Sequence, residues 1–276
     1  MLGIGSSGAH AIDCRKAASS VDHLICQHKN LQDADAAMGQ AYVKLLAKAS
    51  DDAEVRAMLI RSQKRWISAR DKGFSAAMDY PGAPDEEALP TSLLHAIRDR
   101  TRDLTETSRG NPALPHLIEL ALAQRKALSQ YTGGTFAGFD TDCDFLPGGG
   151  EFSYGCFARR SYQNRDRVCT LADDWASGTV YQTRSVAQVV QGERQEVAEC
   201  GDGGANVSRC PDADGQPDPN AHWRLVRPES APAPSTKPAQ DLPKLDVEVE
   251  PDADDAKWLH ACLTDSQYPP ASQISK

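Results

Sequence analysis

Apolar residues recur at steps of three and four through much of residues 12–131, which is the spacing of amphipathic α-helices. The first two stripes are Leu31, Ala34, Met38, Ala41, Tyr42, Leu45 and Ala49, followed by Val55, Met58, Leu59, Ser62, Trp66 and Ala69. Asp51 and Glu54 form a candidate cap at the start of the second helix. Two more helices are predicted near 93–104 and 116–130, and the connections between the helices are short. This pattern predicts an antiparallel helical bundle.

After residue 131 the pattern changes to short aromatic and β-branched segments separated by glycines, which is typical of antiparallel strands. We therefore predict a small β domain over 132–227. Prolines and acidic residues dominate 228–254, which predicts an extended linker. Residues 255–276 are predicted to form a C-terminal helix and tail, with Trp258, Leu259 and Cys262 on one helical face. The expected fold class is α+β.

Eight cysteines occur, and none of them forms a CxxC pair, so disulfides are favoured over a zinc or thioredoxin-like site. The cysteines are Cys14, Cys26, Cys143, Cys156, Cys169, Cys200, Cys210 and Cys262. Residues 1–11 are apolar and small and end in a small-x-small triplet, which predicts the remainder of a signal peptide with a mature start near Ile12. Both features predict a periplasmic or secreted protein.

Six of the cysteines lie after residue 131, and six cysteines allow many pairings. Local bridges Cys143–Cys156 and Cys200–Cys210 are favoured because each would close a glycine-containing loop. Cys169 would then pair with Cys262.

The net charge of −9 and the absence of a basic stripe disfavour nucleic-acid binding and favour either a cationic partner or a solvated acidic surface. No apolar run is long enough to span a bilayer. The chain has no GxSxG motif, and His116, His222 and His260 are expected to be isolated. The neighbouring carboxylates at 173–174 and 254–255 are expected to be solvated. We predict a protein that is not an enzyme and that uses no cofactor or metal.

The order of motifs over about residues 12–106 resembles the N-terminal domain family of LprI-type lysozyme inhibitors. The resemblance consists of an early cysteine pair, a Leu…Asp…Tyr helix and a Gln-x-x-Trp-x-x-x-Arg-Asp helix. In this chain these residues are Cys14 and Cys26; Leu31, Asp35 and Tyr42; and Gln63, Trp66, Arg70 and Asp71. The remainder of the chain resembles no family known to us.

The resemblance implies a bridge between Cys14 and Cys26, which would stabilise the fold by about 3 kcal/mol in the chain-entropy description. Family members usually have a second cysteine pair, whereas this chain has Phe74 at the first of those two positions. We expect apolar packing at Phe74 to replace that bridge. The rings of Tyr42 and Trp66 are expected in the core, and Arg70 with Asp71 is expected to hold the helix end.

The resemblance also implies a secreted or periplasmic bacterial binding protein that inhibits a lysozyme-type peptidoglycan hydrolase. The target would be a host lysozyme or a competitor's toxin, the latter in the manner of an immunity protein. Such enzymes are usually cationic, so an acidic inhibitor would associate with them faster. The alternative is a structural or envelope-maintenance module that inhibits no enzyme.

Overall fold

The computed structural model describes residues 12–79, 88–148, 151–176, 179–201, 209–212, 220–226, 242–249 and 251–275. The predicted remainder of a signal peptide at 1–11 lies outside these residues, as does most of the predicted linker at 228–254. The described chain forms two compact units. The first, which we call the helical unit, consists of residues up to Ala123 together with Cys143–Cys156. The second, which we call the sheet unit, consists of Gln124–Asp142 and the chain from Phe157 onward.

Five α-helices precede the first strand in the part of the chain that is described: α1 (Ser20–Gln27), α2 (Lys29–Lys48), α3 (Ala53–Asp79), α4 (Ala88–Thr105) and α5 (His116–Leu128). Helix α1 begins with a capping box in which Ser19 and Asp22 satisfy each other's backbone N–H groups. The predicted cap at Asp51 is wrong by one residue. Asp52 accepts the Val55 N–H at 3.1 Å, since it directly precedes the first helical turn.

The core of the helical unit is built from the predicted apolar stripes. Its fully buried side chains include Ile25, Leu31, Met58, Leu59, Trp66, Phe74, Leu93 and Ile97. Phe74 packs against Phe145 and Phe152 at ring distances of 5.4 and 5.1 Å. Gly73 permits this close approach, because a Cβ atom there would lie 2.8 Å from the Cβ of Phe145. The expected apolar packing at Phe74 is therefore confirmed.

The described strands form one antiparallel sheet in sequential order: β1 (Gly138–Gly148), β2 (Glu151–Asn164), β3 (Arg167–Ala176), β4 (Thr179–Val190), β5 (Glu193–Gly201) and β6 (Arg224–Leu225). The β4–β5 turn uses Gln191 and Gly192 with φ of 56° and 84°, as a tight hairpin turn requires. With the helices this sheet makes the fold α+β, which confirms the predicted class.

The sheet unit is closed by α6 (Ala253–Thr264), whose Trp258, Leu259 and Cys262 are buried as predicted. The Trp258 ring stacks on Trp223 at 6.2 Å. Residues 242–249 fall within the predicted linker, yet Leu245, Val247 and Val249 are buried. Gln124 holds this segment by accepting the Asp246 N–H at 2.8 Å and donating to the Asp246 carbonyl oxygen at 3.0 Å. This part of the segment therefore belongs to the core of the sheet unit.

Four disulfides join all eight cysteines: Cys14–Cys26, Cys143–Cys156, Cys169–Cys262 and Cys200–Cys210. These are the pairs favoured from the sequence, and the Cα atoms of Cys14 and Cys26 lie 5.6 Å apart. Disulfides of this number are typical of proteins that fold in an oxidising compartment. Within the described residues, no helix is both long and apolar enough to cross a bilayer.

Candidate functional site

The acidic and basic residues of the LprI-like motif form one network, in which Asp35 and Arg70 are buried. The Arg70 guanidinium donates from Nη2 to Asp71 Oδ1 at 2.7 Å and lies 3.7 Å from Asp35 Oδ1. Its Cζ atom lies 5.6 Å from the centre of the Trp66 ring. The other carboxylate oxygen of Asp35 accepts the Ile12 N–H at 2.9 Å. The network thus joins the N-terminal segment, α2 and α3.

A separate set of hydrogen bonds links α3 to α4 through Arg100. This side chain is buried and donates to Gln63 Oε1 at 3.0 Å and to Ser62 Oγ at 2.7 Å. The remaining motif residues Leu31, Tyr42 and Trp66 are buried as well. The motif therefore holds three helices at fixed positions.

A cavity of about 550 Å³ opens beside this network in the helical unit. One wall is the exposed side of α4, with Arg98, Asp99, Arg102 and Asp103. The lining also contains the aromatic residues Phe145, Phe152 and Tyr154 from the ends of β1 and β2. Guanidinium groups and aromatic rings that line one cavity can hold an anionic group and an apolar ring face together.

The charges in the cavity are partly neutralised by one another. Arg102 Nη2 pairs with Asp99 Oδ1 at 2.8 Å on successive turns of α4. Burial raises the pKa of the Asp103 carboxyl, while the positive charges of Arg100 and Arg102 act against that rise. Arg98 is exposed at the cavity. The cavity thus offers two exposed arginines, Arg98 and Arg102, of which Arg102 is paired with Asp99.

His116 is not isolated, contrary to the sequence prediction, because Glu119 lies one helical turn away. The Glu119 carboxylate accepts from Ser108 Oγ at 2.6 Å and contacts His116 Nδ1 at 3.4 Å. A hydrolytic triad needs the histidine between the hydroxyl and the carboxylate, so that the imidazole can take the hydroxyl proton. Here the carboxylate lies in the middle. The three groups therefore hold the start of α5 and do not form a nucleophile with its base.

The helical segment that contains this network is similar to a known protein family. Residues 14–104 match the family described as lysozyme inhibitor LprI. The LprI match covers about a third of the chain and ends in the last turn of α4. LprI is an inhibitor family, which fits a protein without catalysis. No curated protein and no solved structure matches the chain.

The carboxylates of the sheet unit that were expected to be solvated are in part buried. Asp255 accepts from Arg184 Nη2 at 2.8 Å, and both side chains are buried. Asp173 forms an ion pair with the buried Arg160. Burial raises the pKa of the Asp255 carboxyl, and Arg184 opposes this rise. The sequence signal that was missed is an arginine in the middle of each of two strands, at Arg160 and Arg184, since an arginine flanked by core positions needs a buried anion.

The pKa of Asp35 gives a pH-dependent prediction for the motif network. Burial raises the pKa of this carboxyl, and its contacts with the Ile12 N–H and Arg70 only partly offset the effect. Asp35 therefore contributes stability at a pH below its unfolded pKa of about 3.9, and this contribution is lost as pH rises through the folded pKa. We expect the free energy of unfolding of Asp35→Asn to increase relative to wild type between about pH 3 and pH 7. Urea unfolding across this pH range measures the difference in unfolding free energy between Asp35→Asn and wild type. A difference that does not change with pH would contradict the prediction.

Proposed function

We propose that this protein is an extracytoplasmic bacterial binding protein that inhibits a lysozyme-type peptidoglycan hydrolase. The observation that carries the proposal is the LprI match over residues 14–104, within which Asp35, Gln63, Trp66 and Arg70 are buried. The four disulfides support folding outside the cytoplasm. The hydrolase would be a host lysozyme or a toxin delivered by a competing bacterium, against which the protein would act as an immunity protein.

The net charge supports such a partner. Enzymes that act on an anionic cell wall are commonly cationic, and this chain carries −9. Opposite charges raise the association rate at low ionic strength, and salt screens the attraction over distances of about 10 Å. Disulfides and buried ion pairs hold the exposed groups in place before binding, which reduces the entropy lost on association.

The proposal predicts stoichiometric inhibition that depends on salt. Adding the purified, oxidised protein to a cationic muramidase should abolish cell-wall lysis near an equimolar ratio. The association rate constant should fall roughly tenfold between low and moderately high salt, because the long-range attraction is screened. Lysis assays with muramidases of several families, together with binding kinetics across salt, measure both effects. Unchanged lysis by every enzyme at a large molar excess would contradict the proposal and favour an envelope-maintenance module.

A further inference from the structure

The β3–β4 hairpin continues beyond the point where its pairing with the neighbouring strands of the sheet ends. Among the described residues, pairing of β3 with β2 ends at Arg159↔Ala172, and pairing of β4 with β5 ends at Thr183↔Gly201. The two strands continue for four more pairs, from Asp173↔Gln182 to Ala176↔Thr179. We call residues 173–176 and 179–182 the arm. Its strands pair with each other and, within the described chain, with no third strand.

The arm displays two large apolar side chains to solvent. Trp175 is 41% exposed and Val180 is 54% exposed, and the two residues are directly opposite in the ladder. Opposed residues of an antiparallel pair lie on the same face, so the two side chains form one apolar patch. Tryptophan at the tip of a hairpin is costly to leave in water, and this residue type is enriched among those that dominate protein interfaces.

The base of the arm is fixed by buried charged groups. Asp173 pairs with Arg160 of β2, and its other oxygen accepts from Gln182 at 3.3 Å. Gln182 also donates to Asp255 of α6 at 3.4 Å, and Asp255 is held by Arg184. These contacts tie the first pair of the arm to the sheet and to α6. The patch is thus presented on a preorganised support, which lowers the entropic cost of binding.

The charge around the arm selects the kind of partner. The start of α6 contacts Gln182, which lies on the same face of the arm as Trp175 and Val180, and the Asp254 side chain there is 45% exposed. The arginines at the base are buried, and the exposed Arg159 and Asp174 both lie on the face opposite Trp175 by strand alternation. A second copy of this chain would bring like charges together. A partner with exposed lysines or arginines would gain ion pairs at the rim and cation–π contact with the Trp175 ring.

From this combination we propose that the arm is a docking element for a cationic protein, with Trp175 and Val180 at the centre of the contact and Asp254 at its rim. The inference rests on the proposed function and takes the partner to be the cationic hydrolase. It adds a contact from the sheet unit, which lies outside the LprI match. The apolar pair sets the lifetime of the complex, and the carboxylates set its rate of formation.

The test compares variants of the full, oxidised chain against a c-type lysozyme and a cationic bacterial muramidase, by binding kinetics and by lysis. The double variant Trp175→Ser, Val180→Thr should weaken binding at least tenfold, mainly through faster dissociation. Asp254→Asn should chiefly slow association at low salt. The control is Val190→Thr at the other end of β4, where valine is 40% exposed, and it should leave binding unchanged. Circular dichroism checks that all variants fold.

The possible outcomes distinguish a failure of the proposed arm contact from a failure of the proposed inhibitory function. If the wild-type chain inhibits and the double variant binds and inhibits equally well, the proposed role of the arm is overturned. The proposed function is unaffected by that result. If Val190→Thr weakens binding to the hydrolase as much as the double variant does, the proposed role of the arm is also overturned, because the effect would not be specific to the arm. A wild-type chain that neither binds nor inhibits any tested hydrolase overturns both proposals. Loss of binding in the double variant alone supports both.

Discussion

Replacing both Cys169 and Cys262 with alanine should destabilise the sheet unit by about 4 to 5 kcal/mol. The two cysteines are 93 residues apart in sequence, and their bridge joins β3 to α6. Cross-linking positions so far apart removes much of the entropy of the unfolded chain. Both side chains are fully buried, so alanine also leaves unfilled space in the core. A loss of this size is comparable to the whole stability of many domains.

The bridge in the helical unit is the matched control. Cys14 and Cys26 are 12 residues apart, so their double alanine variant should lose about 3 kcal/mol, and the loss should be confined to the helical unit. Urea unfolding measures the total loss of unfolding free energy in each double alanine variant. Hydrogen exchange of the α6 and β3 amides shows which unit has opened. An equal loss for both variants would contradict the dependence on loop length, and unchanged exchange in α6 would contradict the structural role of Cys262.

Replacing Arg70 with methionine should cost about 3 to 5 kcal/mol, because Asp35 would remain buried without a compensating charge. The side chains of Arg70 and Asp35 are only 7% and 8% exposed. The double variant Asp35→Asn, Arg70→Met should recover most of the loss, since no unpaired charge stays in the core and the amide oxygen introduced by Asp35→Asn can still accept the Ile12 N–H. Unfolding free energies of the two single variants and the double variant measure the coupling.

Two outcomes would contradict this account of the motif. Equal destabilisation by the double variant and by Arg70→Met would show that the arginine acts through packing on Trp66 and not through its charge. Loss of hydrolase binding in a fully stable Arg70→Met protein would make Arg70 a contact residue. The second result would be unexpected, because Arg70 is buried against Asp35 and Asp71.

The helices were predictable because each buries one apolar stripe with a period near 3.6 residues. Leu31, Met38, Tyr42 and Leu45 lie on the buried face of α2 as the pattern predicts. The ends were less predictable, because caps and propensities change little over one or two residues. Helix α3 continues to Asp79, ten residues beyond the last residue of the predicted stripe at Ala69, since Phe74 and Ala77 find buried positions.

Buried ion pairs could not be located from the sequence. Arg160 and Asp173 are 13 residues apart, and Arg184 and Asp255 are 71 apart. An exposed and a buried carboxylate look alike in a sequence, so the pairs at 173–174 and 254–255 were expected to be solvated. The burial of Asp255 depends on where α6 packs on the sheet. The buried segment 242–249 was missed for the same reason, because proline and acidic residues there obscure Leu245, Val247 and Val249.

By itself, the sequence determined the α+β class, the helical and strand regions, the pairing favoured for the cysteines and the LprI-like segment. All of these depend on local spacing, on the requirement that every cysteine be paired, or on residues that lie close together along the chain. The tertiary structure alone decided which charges are buried, where the cavity in the helical unit lies, and that the arm carries Trp175 and Val180 in solvent. Those properties depend on which elements pack together and where each strand loses its neighbour, and a contact between distant residues leaves no periodic trace in the sequence.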